Sequence, residues 1–216
     1  MIPGVERTEM GEPENSALDS SESFNPDKRV EVESTGHHEA EAYNPDKRLE
    51  VFYTSREDRM LFATYTDGTW SGEPGNSRVR PNTESLSGKA AHDKLQEFNL
   101  SDIEYKDGVV DFSECAVESV DIGKMTKHRD INRGQALAAV AEKWNSAGRL
   151  QGDGRKWTAD AVGKWATANK LQFHECSNMK TCQFVPGEIH SHFKHFGGVA
   201  ECKARDAQVS GGGFDA

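Results

Sequence analysis

Segment 171–202, LQFHECSNMKTCQFVPGEIHSHFKHFGGVAEC, constrains this chain more than any other stretch. It holds four of the eight histidines, His174, His190, His192 and His195, around one short helix signal. Proline has a preset φ and no N–H to leave unsatisfied, so Val185-Pro186-Gly187-Glu188 reads as a helix start, with Glu188 near the positive end of the dipole. Ile189 and Phe193 lie four apart and should point inward together, with His190 and His192 on neighbouring flanks. Gly197-Gly198 tolerates a left-handed C-cap, so the helix is expected to end there. The predicted unit is a strand or turn bearing His174 and Glu175, a tight connection, and a short helix of histidines.

Neutral imidazole is the commonest protein ligand for transition metals, and two or three such groups with an open position leave room for water or a phosphate oxygen. One divalent ion is therefore expected, with Mg, Mn, Ni and Zn all open. On an ideal helix, His190 and His195 stand about 140° apart and His190 and His192 about 200° apart. Convergence on one ion needs the last turn to unwind or tighten, which the double glycine permits. A zinc-peptidase motif is excluded as written, because His174-Glu175 is followed at the fifth position by Asn178 and not by histidine.

The string Phe173-His174-Glu175-Cys176, then Met179, Thr181, Gln183, Val185-Pro186, Ile189-His190, Phe193, His195 and Gly197-Gly198, resembles the toxin nucleases of the HNH/endonuclease VII superfamily. Members with Trp-His-His or Trp-His-Glu motifs are the most similar, and the likeness covers roughly the last third of the chain. Phe173 stands where many members have Trp, and Glu175 where many have a second His. The resemblance implies a ββα-metal finger that hydrolyses phosphodiester bonds. His174 is then the expected general base and Glu175 a ligand or orienting group, with the reverse chemically open. His190 and His195 are the expected metal ligands, and Arg129 a phosphate contact. It further implies the toxic domain of an antibacterial effector, delivered into the cytoplasm of a target cell and blocked by a cognate immunity protein, itself acidic.

Charge supports a nucleic-acid substrate independently. The whole chain carries −10, yet residues 124–205 hold 14 Lys and Arg against 7 Asp and Glu, a local balance of +7. Lys127, His128, Arg129 and Arg133 precede one expected helix and Arg155-Lys156 another, where they can meet phosphates; DNA is the expected partner, with RNA open. A non-catalytic, metal-stabilised DNA-binding or adaptor module is the alternative from another class.

The remaining chain reads as support. Residues 1–42 are acidic and nearly devoid of aromatics, and are expected to form a disordered leader. Phe24-Asn25-Pro26-Asp27-Lys28-Arg29 recurs as Tyr43-Asn44-Pro45-Asp46-Lys47-Arg48, two copies of an Asn-Pro turn that are too few for a solenoid. Residues 43–92 suggest a β-hairpin or three-stranded meander broken by a polar turn at 55–59, then a loop. This module is either an accessory or the edge of the main sheet. A nuclease domain is placed at 93–207 and a flexible tail at 208–216.

Within that domain, residues 98–120 alternate short extended segments around Lys106-Asp107-Gly108, a hairpin signal. Ala136, Leu137, Val140, Ala141 and Trp144 share one helical face, and a second helix follows Thr158 as N-cap, with Ala161, Val162, Trp165 and Ala166 inward. Trp144 and Trp165 are expected in the core. Cys115, Cys176, Cys182 and Cys202 contain no C-x-x-C pair, which argues against a zinc knuckle; disulfide and thiol states both remain open. Neither a membrane span nor an ordinary signal peptide is present, so delivery by a specialised route is expected. The fold class predicted is α+β: a ββα-metal finger with supporting helices, behind a hairpin module and an acidic leader.

Overall fold

A computed structural model describes residues 52–211. The predicted acidic leader and both copies of the Asn-Pro repeat lie outside them. In chain order the elements are α1 (Arg56–Ala63), β1 (Gly68–Trp70), β2 (Arg78–Pro81), α2 (Leu86–Gln96), β3 (Ile103–Lys106), β4 (Val109–Asp111) and β5 (Glu118–Asp121). Then follow α3 (Arg129–Ser146), α4 (Ala159–Ala168), β6 (Leu171–Glu175), β7 (Thr181–Pro186), α5 (Gly187–His192) and α6 (Gly198–Gly211). Two antiparallel sheets result, one ordered β1-β2-β3-β4 and one ordered β5-β7-β6, so the fold is α+β as expected.

β7 organises the packing, because all six of its residues are buried. A strand turns alternate side chains to opposite faces. Val185 accordingly joins Ile103, Tyr105, Phe112, Ile189 and Phe193 in one core, while Cys182 and Phe184 join Val120, Val140, Trp144 and Val162 in the other. β7 is thus the wall between the two interiors. Ile189 and Phe193 are buried together, as their spacing predicted.

The hairpin signal at 106–108 forms as expected: Lys106 pairs with Val109, and Asp107 and Gly108 turn the chain with φ of 50° and 76°. That conformation matches the twist of the strands it joins. Any side chain at Gly108 would also meet the Arg59 carbonyl carbon at 2.3 Å. The helix with Trp144 is α3, and Thr158 caps α4 by accepting from the Ala161 amide at 3.2 Å. Trp144 and Trp165 meet edge to face at 4.8 Å, and Trp144 donates from Nε1 to Glu118 at 2.6 Å.

Three expectations are corrected. Residues 56–63 are helix α1, not a turn between strands: Ser55 accepts from the Asp58 amide at 3.0 Å, and Glu57 and Asp58 complement the dipole. The polar run is the cap and first turn of a helix. Residues 73–92 are not a loop throughout, since they contain β2 and the start of α2, whose Ala91 and Leu95 are buried in the first core. Strands β1 and β2 extend the sheet of β3 and β4, and residue 93 falls inside α2. Finally, α5 stops at His192, and Gly197-Gly198 begins α6 instead of closing α5. A Cβ on Gly197 would lie 2.7 Å from the Glu175 carbonyl oxygen, and one on Gly198 2.5 Å from that of Cys176. The glycines therefore let α6 press against the end of β6. That helix runs to Gly211, past the predicted tail boundary.

Candidate metal and nucleic-acid site

β6, β7 and α5 form a ββα unit, and strand alternation decides what its histidine and glutamate face. His174 turns toward Phe112 and α5, whereas Glu175 turns toward α3. Because α5 ends early, Phe193 is extended and His195 leaves the helix altogether. The helical separation that opposed convergence of His190 and His195 therefore does not apply.

His174, His190 and His195 converge. Their ring centroids are 5.5 Å (174 to 190), 4.8 Å (174 to 195) and 5.1 Å (190 to 195) apart. One nitrogen from each lies within 4.8 Å of the others, a spacing that a single ion can draw together. Nδ1 of His195 lies 2.8 Å from the Phe193 carbonyl oxygen and donates to it, which leaves Nε2 as the nitrogen with a free lone pair. Burial lowers all three pKa values, with Arg129 adding to it at each ring, both other imidazoles at His174 and His195 at His190, and against the Phe193 hydrogen bond at His195: His174 falls well below the usual range, His190 to about 3 and His195 to about 4. Neutral imidazoles in this arrangement are a donor set ready for a divalent ion. His192 is not among them, since its Nε2 meets the Asp67 carbonyl oxygen at 2.9 Å and ties α5 to the start of β1.

Phe112, fully buried, touches every ring of the cluster, with centroids 5.1 Å from His174, 5.7 Å from His190 and 5.3 Å from His195. It is the support that sequence reasoning missed. Its position just after β4 offers no local signal of a role beside histidines more than sixty residues away.

Glu175 is 2% exposed and accepts from Arg129 Nη1 at 2.9 Å and from Asn132 Nδ2 at 3.4 Å. Burial raises its pKa, against the pull of Arg129. Asn132, also missed, is held by Thr126, donating to its carbonyl at 2.7 Å and accepting from its amide at 2.9 Å. Glu175 and Arg129 share with the three histidines a cavity of about 260 Å³, completed by Phe62, Lys194 and Gly197.

Arg129 also lines a neighbouring groove of about 580 Å³, together with Arg133, Lys170 and Gln172. Arg129, Arg133 and Lys170 are all exposed, so the groove presents three cations, with Asp130 and Glu188 also in its lining. Lys127 is not part of either surface; its Nζ lies 3.6 Å from Asp206 on α6. Arg155 pairs with Asp153 in its own loop. All four cysteines are free and buried, and no helix among the described residues is long and apolar enough to cross a membrane.

Residues 102–197 match a protein-family model described as the DNase/tRNase domain of colicin-like bacteriocin. The match spans a little under half of the chain and includes Phe112, Arg129, Glu175 and the three clustered histidines. It supports a nuclease toxin domain. No curated protein matches the chain.

Proposed function

We propose that this chain is a metal-dependent nuclease that hydrolyses phosphodiester bonds, with DNA as its first substrate, and that it serves as the toxic domain of an antibacterial effector. The observation that carries this reading is the convergence of His174, His190 and His195 on one cavity with a buried carboxylate and an exposed guanidinium. A divalent ion held by the three imidazoles would polarise the phosphate and stabilise the leaving oxygen.

The protein's own groups divide the rest. With His174 turned toward the other imidazoles, it serves as a ligand, and Glu175 takes the proton from the attacking water. A carboxylate whose pKa is raised by burial is the better base at working pH. Arg129 holds Glu175 in place through one nitrogen, and its remaining donors meet a phosphate oxygen. Arg133 and Lys170 continue the phosphate track along the groove. The basic balance of residues 124–205 also suits fast capture by an acidic immunity protein.

Plasmid cleavage by the full chain with Mg, Mn, Ni or Zn tests the reading. Nicking or linearisation is expected with at least one metal, and its loss in His190→Ala and Glu175→Gln while the circular dichroism spectrum is kept. DNA binding without cleavage under every metal would replace the enzyme by a metal-stabilised adaptor.

A further inference from the structure

One wall of the histidine cavity comes from outside the family match. Phe62 on α1 lines that cavity beside His174, His190, His195, Glu175 and Arg129. Its ring is stacked on Phe196 at 4.8 Å with an interplanar angle of 18°, and Tyr65 meets it edge-on at 6.0 Å. Phe62 and Phe196 stand outside both apolar cores of the described residues. Tyr65 is 62% exposed. Phe62 and Phe196 are half-buried, so the stack leaves aromatic surface at the rim of a polar cavity. Phe196 directly follows the ligand candidate His195, so the stack is held one residue from the cluster.

We propose that Phe62, backed by Phe196, is a stacking platform for a nucleobase adjoining the scissile phosphate, and that the preferred substrate is a single-stranded or unpaired stretch of nucleic acid. The inference deepens the nuclease reading and rests on it for the identity of the ligand. Every base has a π-face that an aromatic ring can take up, and in a duplex those faces are occupied by neighbouring base pairs. A ring at the rim of the phosphate site therefore reaches a base only when that base is free of its stack. The cations of Arg129, Arg133 and Lys170 supply the complementary charge for the backbone of the same strand.

The full chain in chelator, which prevents cleavage, is mixed with single-stranded DNA or RNA oligonucleotides carrying 2-aminopurine, and with the matching duplexes. Quenched fluorescence is expected with the single strands and not with the duplexes; the DNA and RNA arms distinguish the sugar. Phe62→Leu, which keeps an apolar contact with Phe196, should weaken single-strand binding roughly tenfold and abolish the quenching. Phe62→Tyr should restore both. With metal present, Phe62→Leu should raise KM on single strands several-fold more than on duplexes while kcat on the two falls alike, a split that general loss of fold would not give. Equal quenching by Phe62→Leu and wild type, equal losses on single strand and duplex, or no rescue by Phe62→Tyr would overturn the proposal. Cleavage that is indifferent to Phe62 sinks the platform and leaves the nuclease standing. Base stacking with no cleavage under any metal supports the platform and removes the nuclease reading.

Discussion

Arg129 donates to Glu175 across 2.9 Å from the face of β6 opposite His174, so neighbouring residues of one strand serve two different partners. The ion pair is asymmetric: the arginine side chain is 67% exposed and the carboxylate 3%. Removing the cation leaves a buried carboxylate with Asn132 as its remaining side-chain partner. Arg129→Ala is expected to lower kcat/KM on plasmid DNA by about 10²–10³, in the range of a lost transition-state donor. Arg129→Lys, a point charge without the planar fork, should recover only part of that. Unchanged steady-state kinetics in Arg129→Ala would remove it from the site.

Phe112 should matter to both stability and metal affinity. Replacing a fully buried phenylalanine by alanine costs about 3–5 kcal/mol, which urea unfolding would read directly. Phe112→Leu fills most of the volume but leaves the imidazoles less constrained. We expect it to fold and to bind metal roughly 10- to 100-fold more weakly by calorimetric titration, as for other supports behind metal ligands.

The depressed histidines predict how the metal-free protein responds to acid. Their folded pKa values, about 3 for His190 and about 4 for His195, lie below the ordinary 6.5, so between these limits the unfolded chain binds more protons than the native one. Stability is therefore full above pH 6.5 and falls as pH drops through the window. On the order of 1–2 kcal/mol per imidazole is expected to be lost between pH 7 and pH 5. Thermal melts in chelator at the two pH values measure it. Saturating metal should raise the melting temperature at pH 7 and lose that effect in His190→Ala.

Glu201, fully buried on α6, holds the start of the described chain. It accepts from the Tyr53 amide at 2.8 Å and the Thr54 amide at 3.0 Å, and from the Thr54 hydroxyl. Arg59 completes the network by donating to the Thr54 carbonyl at 2.6 Å. Glu201→Ala is expected to cost about 1–3 kcal/mol, since it removes the acceptor of the Tyr53 and Thr54 amides. Deleting the residues before 55 should cost a similar amount, and the two changes together far less than their sum, which a double-mutant cycle would show.

A fragment beginning at residue 93 cuts α2 and removes β1 and β2, and with them Ala63, Val79 and Ala91 of the first core. It is expected to show no cooperative melt, whereas a fragment beginning at 52 should melt as a unit. A sharp transition in the shorter piece would show that the second core folds without the first.

The legible parts of this molecule were those whose signal is local. The hairpin at Asp107-Gly108, the apolar faces of α3 and α4, and the strand-then-helix order around the histidines follow from turn chemistry and periodicity. His174, His190 and His195 stood out by residue type alone. What escaped depends on contacts distant in sequence. Phe112 and Phe62 acquire their places only when two sheets and α1 close around the cluster, and no periodicity marks them. The cap at Ser55 was hidden because a short polar run preceding aromatic residues satisfies both a turn and a helix start. The double glycine reads locally as conformational freedom, whereas its role is close approach of backbones.

The early end of α5 has a consequence for how this motif tolerates change. His195 is carried by a few residues of extended backbone whose length sets its reach, and the carbonyl that orients its ring belongs to Phe193 in that same bridge. Side chains within the bridge that face outward are free to vary, but inserting or deleting a single residue between 192 and 198 would displace the imidazole by several ångströms, about one residue's span of chain. Between the two helices, both the number of residues and the identity of Phe193, His195 and Gly197 are fixed by what each must reach.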